Sequence, residues 1–367
     1  MYDVAVIGAG PAGAMLARLI GGSCKVLLIE RRDLLEQKEK TVTKLCGGLI
    51  APDAQGMLGK LGLGVPREVL VGPQLFTVRT IDFQSKLERY YQRHYINIDR
   101  EKFDAWLVSL IPPSADIRCR WFFKSFERTG TSIRLRLKHN GKEYIEETKL
   151  LVGADGAFSP VRRALAPQIP QKKYLSIQEW FKVPENLPYF SVIFDRTLTD
   201  FYAWTIPKEE YLLVGAALSP QGKPREKFNL LKEKLLCYGF ELKEPVKRGA
   251  ALITRPQSMS QIYLGEGNIA LLGEAAGWIS PTSAEGLSYA LRSALALARS
   301  LRENSRGYLQ DYSRRTSKLK LNIVAKNFKA PFMYQPFLRR IVMGSGITAM
   351  KRQETEPSPN LLGKNCY

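Results

Sequence analysis

Residues 3–7 form a short apolar run, Asp-Val-Ala-Val-Ile, of the kind buried on both faces of a parallel sheet. A glycine-rich stretch follows, then residues 14–20 with helical periodicity, then a second apolar run over 25–30. Strand, helix and strand within about 30 residues predict a βαβ unit. Residues 31–75 lose periodicity and read as loop-rich. Residues 97–110 predict an amphipathic helix with Asp99 as its N-cap. Strands are expected at 117–127 and 131–138, a hairpin turn at Asn140-Gly141, and another buried strand at 149–152.

From 177 to 218 the pattern changes to short alternating runs at 177–183, 189–194, 201–206 and 211–217, a second sheet. Residues 223–240 predict a charged amphipathic helix, 269–273 a buried strand, and 287–301 a helix rich in Ala and Leu. The pattern is that of an α/β chain whose first domain is interrupted by a sheet-based one. The expected division is 1–75, 97–170 and 262–305 for the first domain, and 76–96 with 171–261 for the inserted one. Residues 306–352 form a helical C-terminal segment, and 353–367, with Glu-Thr-Glu-Pro-Ser-Pro-Asn, a disordered tail.

Composition changes this picture in one respect. Of 367 residues, 45% are apolar and 25% charged, ordinary globular values, but 55 Lys+Arg against 35 Asp+Glu give a net charge of +20. Residues 306–352 carry eleven basic side chains against one acid, Asp311, a net +10 and thus half of the total. The basic residues are interleaved with Ile323, Phe328, Phe332, Phe337, Ile341 and Val342. That suits an interfacial element on an anionic membrane surface; the alternative is helices that cover the first domain with a solvated basic face. Pro331 and Pro336 predict two short helical pieces. No nucleic-acid-binding module accompanies the charge, so no nucleic-acid partner is expected. Five scattered cysteines without ligand spacing predict no disulfide framework and no metal site. No signal peptide is expected before the first strand, and no apolar run reaches 18 residues. A cytoplasmic protein is expected, peripheral on the inner membrane face if the basic segment docks there.

The first glycine loop, Gly8-x-Gly10-x-x-Gly13 with Pro11 and Ala12 inside it, lies between strand and helix. Gly8 permits the tight turn, Gly10 lets backbone amides approach a pyrophosphate, and Gly13 lets helix and strand pack closely. Glu30 ends the second strand 22 residues after Gly8, placed to accept from ribose hydroxyls, with Arg31 beside it. A second loop, from Gly273 to Gly286, lies about 260 residues downstream. Two such loops predict one long dinucleotide held at both ends, FAD rather than NAD.

Further motifs carry a family resemblance. Gly153-Ala154-Asp155-Gly156-x-x-Ser159-x-Val161-Arg162 resembles the second fingerprint of the para-hydroxybenzoate-hydroxylase-type flavoproteins. Gly273-Glu274-Ala275-Ala276 resembles their third, with Glu274 in place of Asp. The resemblance implies a glutathione-reductase-type, Rossmann-like FAD-binding domain with an inserted antiparallel sheet that binds substrate. Lys44-x-Cys46-Gly47-Gly48 is similar to the cysteine-glycine segment of geranylgeranyl reductases. Tyr202-x-Trp204-x-Ile206-Pro207, followed by Gly215-x-Ala217, is similar to their Tyr-x-Trp-x-Phe-Pro…Gly-x-Gly signature, with Ile206 and Ala217 departing from it. The segments Cys46-Gly-Gly-Leu-Ile-Ala-Pro-Asp-Ala-Gln55 and Tyr95-Ile-Asn-Ile-Asp-Arg100, with the second glycine loop, most resemble the bacterial CbrA-type branch.

The resemblance implies an FAD-dependent oxidoreductase that reduces C=C bonds of a prenyl lipid. By that carry-over, Glu274 bonds the ribityl hydroxyls and Arg100 contacts the phosphate side of the cofactor, unless Arg100 is only a helix-surface charge. Gly286 and Leu287 would place the positive end of the 287–301 helix near the flavin pyrimidine. Cys46, beside Gly47 and Gly48, is either the proton donor to the alkene or a small buried hydrophobe. Tyr202 and Trp204 share a strand face, with Pro207 and Gly215 nearby, and either line an apolar slot or pack the sheet. His94 and His139 lack a catalytic or ligand context and read as surface or loop residues. The expected electron donor is NAD(P)H, ferredoxin or flavodoxin, since no separate nicotinamide motif is present, and the expected state is a monomer. Two other readings remain open. One is a flavin monooxygenase or halogenase, since Tyr202-x-Trp204-x-Ile206-Pro207 partly matches the halogenase Trp-x-Trp-x-Ile-Pro. The other is a flavin-loaded membrane protein without turnover.

Overall fold

The computed structural model describes residues 1–35 and 45–350; Lys44 and the tail at 353–367 lie outside them. Five parallel strands form the centre of the first sheet, in the order β16 (Ile269–Leu271), β9 (Lys142–Gly153), β1 (Tyr2–Ile7), β2 (Val26–Glu30) and β6 (Asp116–Cys119). The apolar runs that predicted them are buried on both sides, as parallel strands between layers must be. β15 (Gly265–Glu266) adds an antiparallel edge. The first half of β9 leaves the parallel region and pairs with β8 (Ser132–His139), which pairs with β7 (Phe122–Thr129). Asn140 and Gly141, both at positive φ, make the tight turn between β8 and β9.

Helices α1 (Pro11–Ile20), α2 (Pro52–Lys60), α3 (Arg100–Ser109) and α6 (Leu287–Glu303) cover one face through a core that includes Met15, Leu16, Leu58, Phe103 and Leu291. On the other face Trp278, Tyr289 and Ile323 pack against the inward residues of the hairpin, Ile133, Leu135 and Leu137.

The second sheet has the order β14 (Pro245–Thr254), β10 (Lys173–Lys182), β13 (Tyr211–Leu218), β12 (Ala203–Lys208), β11 (Phe190–Phe194), β4 (Leu75–Asp82), β5 (Leu87–Asn97) and β3 (Leu49–Ile50). It is antiparallel except where β11 runs parallel to β4. One face packs on Phe228, Leu231 and Leu235 of α5 (Pro224–Cys237). The other, with Trp204, Ile206 and Phe190, turns toward the glycine loops. The short α4 (Pro160–Leu165) is capped by Ser159, whose Oγ accepts the Arg162 N–H.

Several elements depart from the sequence reading. The loop-rich stretch 31–75 contains α2, whose apolar face of Ala54, Met57 and Leu58 is interrupted by Gly56 and Gly59, poor helix formers. β4, β5 and β14 were not foreseen; β5 is half-buried with a run of polar residues and shows no clean alternation. The 117–127 strand breaks at Arg120, which takes φ +63 between β6 and β7. The run at 149–152 is the end of β9, not a separate strand.

The C-terminal segment is three helices rather than two pieces: α7 (Tyr308–Arg315), α8 (Ser317–Tyr334) and α9 (Pro336–Ser345). Pro331 sits in the last turn of α8, where few helical bonds depend on it, and the chain breaks at Gln335 before Pro336. Among the described residues no helix is long and apolar enough to cross a membrane.

Candidate functional site

The turn between β1 and α1 can be built only from glycine. Gly8 lies at φ +102, and a Cβ there would come 2.6 Å from the Ala154 carbonyl oxygen. A Cβ on Gly13 would fall 1.9 Å from the Gly8 carbonyl oxygen, inside any contact distance. The strand end, the turn and the helix are thus pressed together, with Gly10 as an N-cap that offers no side-chain acceptor to the first turn. Such a helix end favours an anion through its unpaired N–H groups and its dipole.

Glu30 is tied into this end by the protein itself. Its carboxylate is buried and already accepts from the Ala9 N–H at 2.8 Å and from the Arg32 backbone and guanidinium at 2.9–3.2 Å. It braces the turn from behind. Burial would raise this carboxyl, yet the Arg32 guanidinium holds it below its ordinary value. Arg31 is exposed and makes no part of this group; Arg32, its neighbour, is the buried arginine.

Arg32 begins a charged chain running toward the middle of the molecule. It donates to Asp104 at 2.8 Å; the other Asp104 oxygen accepts from Arg100 at 2.8 Å; and Arg100 Nη1 donates to Cys46 Sγ at 3.4 Å. Asp104 is fully buried and the Arg100 side chain only 14% exposed, so Arg100 is an interior charge rather than a helix-surface one. The i, i+4 spacing of Arg100 and Asp104 was readable in the sequence; their link through Arg32 to Glu30 was not.

Cys46, Gly47 and Gly48 form an irregular segment over β12. Gly48 takes φ +63, and Gly47 lies against Ile206, whose end methyl would have to move to admit a Cβ at 2.7 Å. Sequence reasoning missed the group that holds this segment. Lys208, buried at the end of β12, donates to the carbonyls of Gly48 (3.1 Å) and Ile98 (2.9 Å) and to Asn97 Oδ1 (2.5 Å). Burial lowers its pKa from 10.5 to about 8.

The second glycine loop meets the first beside α6, where a Cβ on Gly273 would press on Ala12 at 2.9 Å. Glu274 reaches across to β14, accepting from the Thr254 N–H at 2.7 Å and its hydroxyl at 3.1 Å. At the start of α6, Glu285 accepts from the Ser288 N–H at 2.7 Å and from its hydroxyl. A carboxylate therefore offsets part of the positive helix end that Gly286 and Leu287 present.

Between these parts lies a cavity of about 530 Å³. Gly10, Pro11 and Ala12 line one end, with Gly273 and Glu274 beside them and Gly286 and Leu287 at the head of α6. Cys46, Gly47, Gly48 and Arg100 also line it, as do Tyr202 and Trp204. Tyr202 donates to the Ser283 carbonyl at 2.6 Å, tying β12 to the second loop. Tyr334 of α8 does the same to Thr282 at 2.5 Å, so the C-terminal helices complete the wall, unforeseen from sequence.

Seven sequence-chosen residues do not line the cavity: Glu30 and Arg31, and Gly8, Gly13, Gly215, Pro207 and Asp155. Gly8 and Gly13 shape the turn. Gly215 seats the Trp204 indole, since a Cβ there would stand 2.4 Å from the ring, and the Pro207 carbonyl accepts from Asn97 at 2.8 Å. Asp155 accepts from the Val161 N–H at 3.2 Å while its Oδ1 is buried with no protein donor; burial pushes its carboxyl up to about 6. His94 is exposed and packs edge-on to Phe76, and His139 stacks on Trp121, both away from the cavity.

These features fit FAD: a glycine cradle that no Cβ could share, an uncapped helix end for a diphosphate, and a second cradle beside the first.

No family model matches the chain. Protein CbrA of Escherichia coli O6:H1 is 38% identical over 357 residues, covering 97% of each chain. Among solved structures, a geranylgeranyl bacteriochlorophyll reductase-like protein from Thermoplasma acidophilum superposes with a TM-score of 0.78 at 20% identity, covering 93% of this chain and 90% of that one. The myxobacterial chondrochloren halogenase CndH, an FAD-dependent halogenase, superposes with a TM-score of 0.65 at 19% identity, over 89% and 82% of the two chains. The fold is that of FAD-dependent flavoenzymes, and at 38% identity over nearly its whole length the chain belongs to the CbrA family.

Proposed function

We propose that the protein is an FAD-dependent oxidoreductase that reduces C=C bonds of a prenyl lipid. One observation carries this reading. The cavity lined by the two glycine cradles and Cys46 is also lined by an aromatic and aliphatic sheet face suited to an apolar substrate.

Bound and reduced, FAD would supply the electron pair for the alkene. The chain's own residues would do the rest. The α1 end and the Gly8–Gly13 turn hold the diphosphate. Glu274 and Tyr202 keep the second loop against the sheet, so both ends of the cofactor share one rigid frame. The Tyr202 and Trp204 rings exclude water and orient the substrate chain. Cys46 carries the proton for the second alkene carbon, and the thiolate left behind faces the Arg100 guanidinium. Arg100 is in turn fixed by Asp104. NAD(P)H, ferredoxin or flavodoxin would be the electron donor.

The test is turnover. Reduced protein incubated with polyprenyl phosphates should yield products two hydrogens heavier per bond. A flavin monooxygenase or halogenase is the second reading, favoured by the fold shared with the FAD-dependent halogenase CndH. It requires oxygen, and stopped-flow spectra of a long-lived oxygenated flavin would establish it in place of the reductase.

A further inference from the structure

The proposed function leaves unused a surface that is unusual in its composition. Among the described residues, nineteen large apolar side chains are exposed, and nine of them fall within 321–350. On α8, Leu321, Val324, Phe328 and Phe332 recur at i, i+3, i+7 and i+11, one outward stripe, with Phe328 79% exposed. Leu319 and Ile323 form a separate, buried stripe that packs on the first sheet. The helix is therefore apolar on two opposed faces, one buried against the first sheet and the other largely exposed. On α9, Phe337 (73% exposed) and Ile341 continue the outward stripe.

The flanks of this stripe are basic. Lys318 and Lys329 lie on one side and Lys320 on the other, with Arg340 on α9, and no acidic residue occurs between 312 and 350. α9 is also firmly seated. Arg339 makes two 3.0 Å bonds to Asp82 on β4, both side chains buried, and the Met343 carbonyl accepts from Arg89 at 2.9 Å. The apolar stripe is thus presented by a braced element.

The stripe meets the cavity. Phe332 and Val342 are both about half exposed, at 46% and 44%, and both line the cavity, with Met333, Tyr334 and Met343 behind them. The outer apolar surface is continuous with the inner wall at this mouth.

We propose that α8 and α9 dock the protein on the surface of a phospholipid bilayer rich in anionic headgroups, and that the cavity opens toward that bilayer between Phe332 and Val342. The apolar stripe enters the interface while the lysines meet the headgroups. An apolar substrate then reaches Trp204 without crossing water. A second copy is a poorer occupant, because self-association along this face sets lysines against lysines. The loading route rests on the reductase reading; docking does not, and the two can fail separately.

The experiment is co-sedimentation of the full-length, flavin-loaded protein with vesicles of phosphatidylcholine alone or with phosphatidylglycerol. Binding is expected to the anionic vesicles and at least tenfold weaker to the neutral ones. Phe328→Asp/Phe337→Asp should lower the partition at least tenfold. Lys318→Gln/Lys320→Gln/Lys329→Gln should lower it roughly 100-fold on anionic vesicles. Unchanged flavin content and flavin reduction in each variant would show that the fold is intact. Equal binding to neutral vesicles, or anionic binding untouched by both variants, would overturn the proposal. So would concentration-dependent self-association of the wild type that Phe328→Asp/Phe337→Asp abolishes.

Discussion

At the scale of single residues, the site depends on what a few atoms cannot share. The Gly13 position has no room for a methyl group, since the Gly8 oxygen would lie 1.9 Å from it. Gly13→Ala should therefore yield protein without flavin, read from the absorbance of the purified protein. Cys46→Ala separates two roles. If the thiol delivers a proton, turnover of the alkene should fall roughly 100-fold or more while flavin reduction by the electron donor is unchanged. Equal turnover would leave Cys46 as packing.

Lys208 makes a prediction of opposite character, on stability. Its folded-state pKa of about 8 lies below the ordinary lysine value of 10.5. Between those values the unfolded chain binds the proton and the folded one does not, so this group makes stability rise with pH. Relative to Lys208→Met, the wild type should gain stability between pH 7.5 and pH 9.5 in urea titrations. The variant should also be destabilised at pH 7.5, by about 1–3 kcal/mol for each acceptor left without a donor.

Among elements, the sequence revealed those whose periodicity is imposed by two-sided or one-sided burial. β1, β2, α1 and α6 were legible because their apolar runs answer only to the core. β5 was not, because its exposed polar residues carry no period, and α2 was hidden by two glycines on a helix that packing stabilises. The same distinction holds in the site. The glycines and Cys46 stood out by motif, whereas Lys208, Arg32 and Tyr334 act through contacts between elements distant in sequence. Glu285 shows the limit of motif reasoning, since a carboxylate at the head of α6 counters the dipole inferred for that helix. The seating of α9 can be tested directly. Arg339→Met leaves Asp82 buried without its guanidinium and should cost about 3–5 kcal/mol. Adding Asp82→Asn should cost less than the sum of the two single changes, measured by chemical denaturation.

Over the whole molecule, two sheets and a C-terminal helical wall enclose one cavity, and each contributes a different property. The parallel sheet presents the glycine cradles at its strand ends, where such folds bind ligands. The second sheet supplies a broad aromatic wall, Tyr202 and Trp204, tied back to the cofactor loop. The Glu30–Arg32–Asp104–Arg100 chain of buried ion pairs, extended by a hydrogen bond from Arg100 to Cys46, joins the first glycine loop to the Cys46 segment. Removing one member would strand its partners, so the site is expected to be rigid before substrate arrives. Half of the net positive charge belongs to residues 306–352, which include this helical wall.

The proposed reaction is reduction of an isolated alkene with electrons from bound FAD. It is tested most directly by anaerobic incubation of the chemically reduced, flavin-loaded protein with a polyprenyl phosphate, followed by mass spectrometry of the extracted lipid. The account predicts a product heavier by two hydrogens for each bond reduced, together with reoxidation of the flavin in equal amount. Flavin that reduces normally and stays reduced, with every isoprenoid recovered at its starting mass, would contradict it.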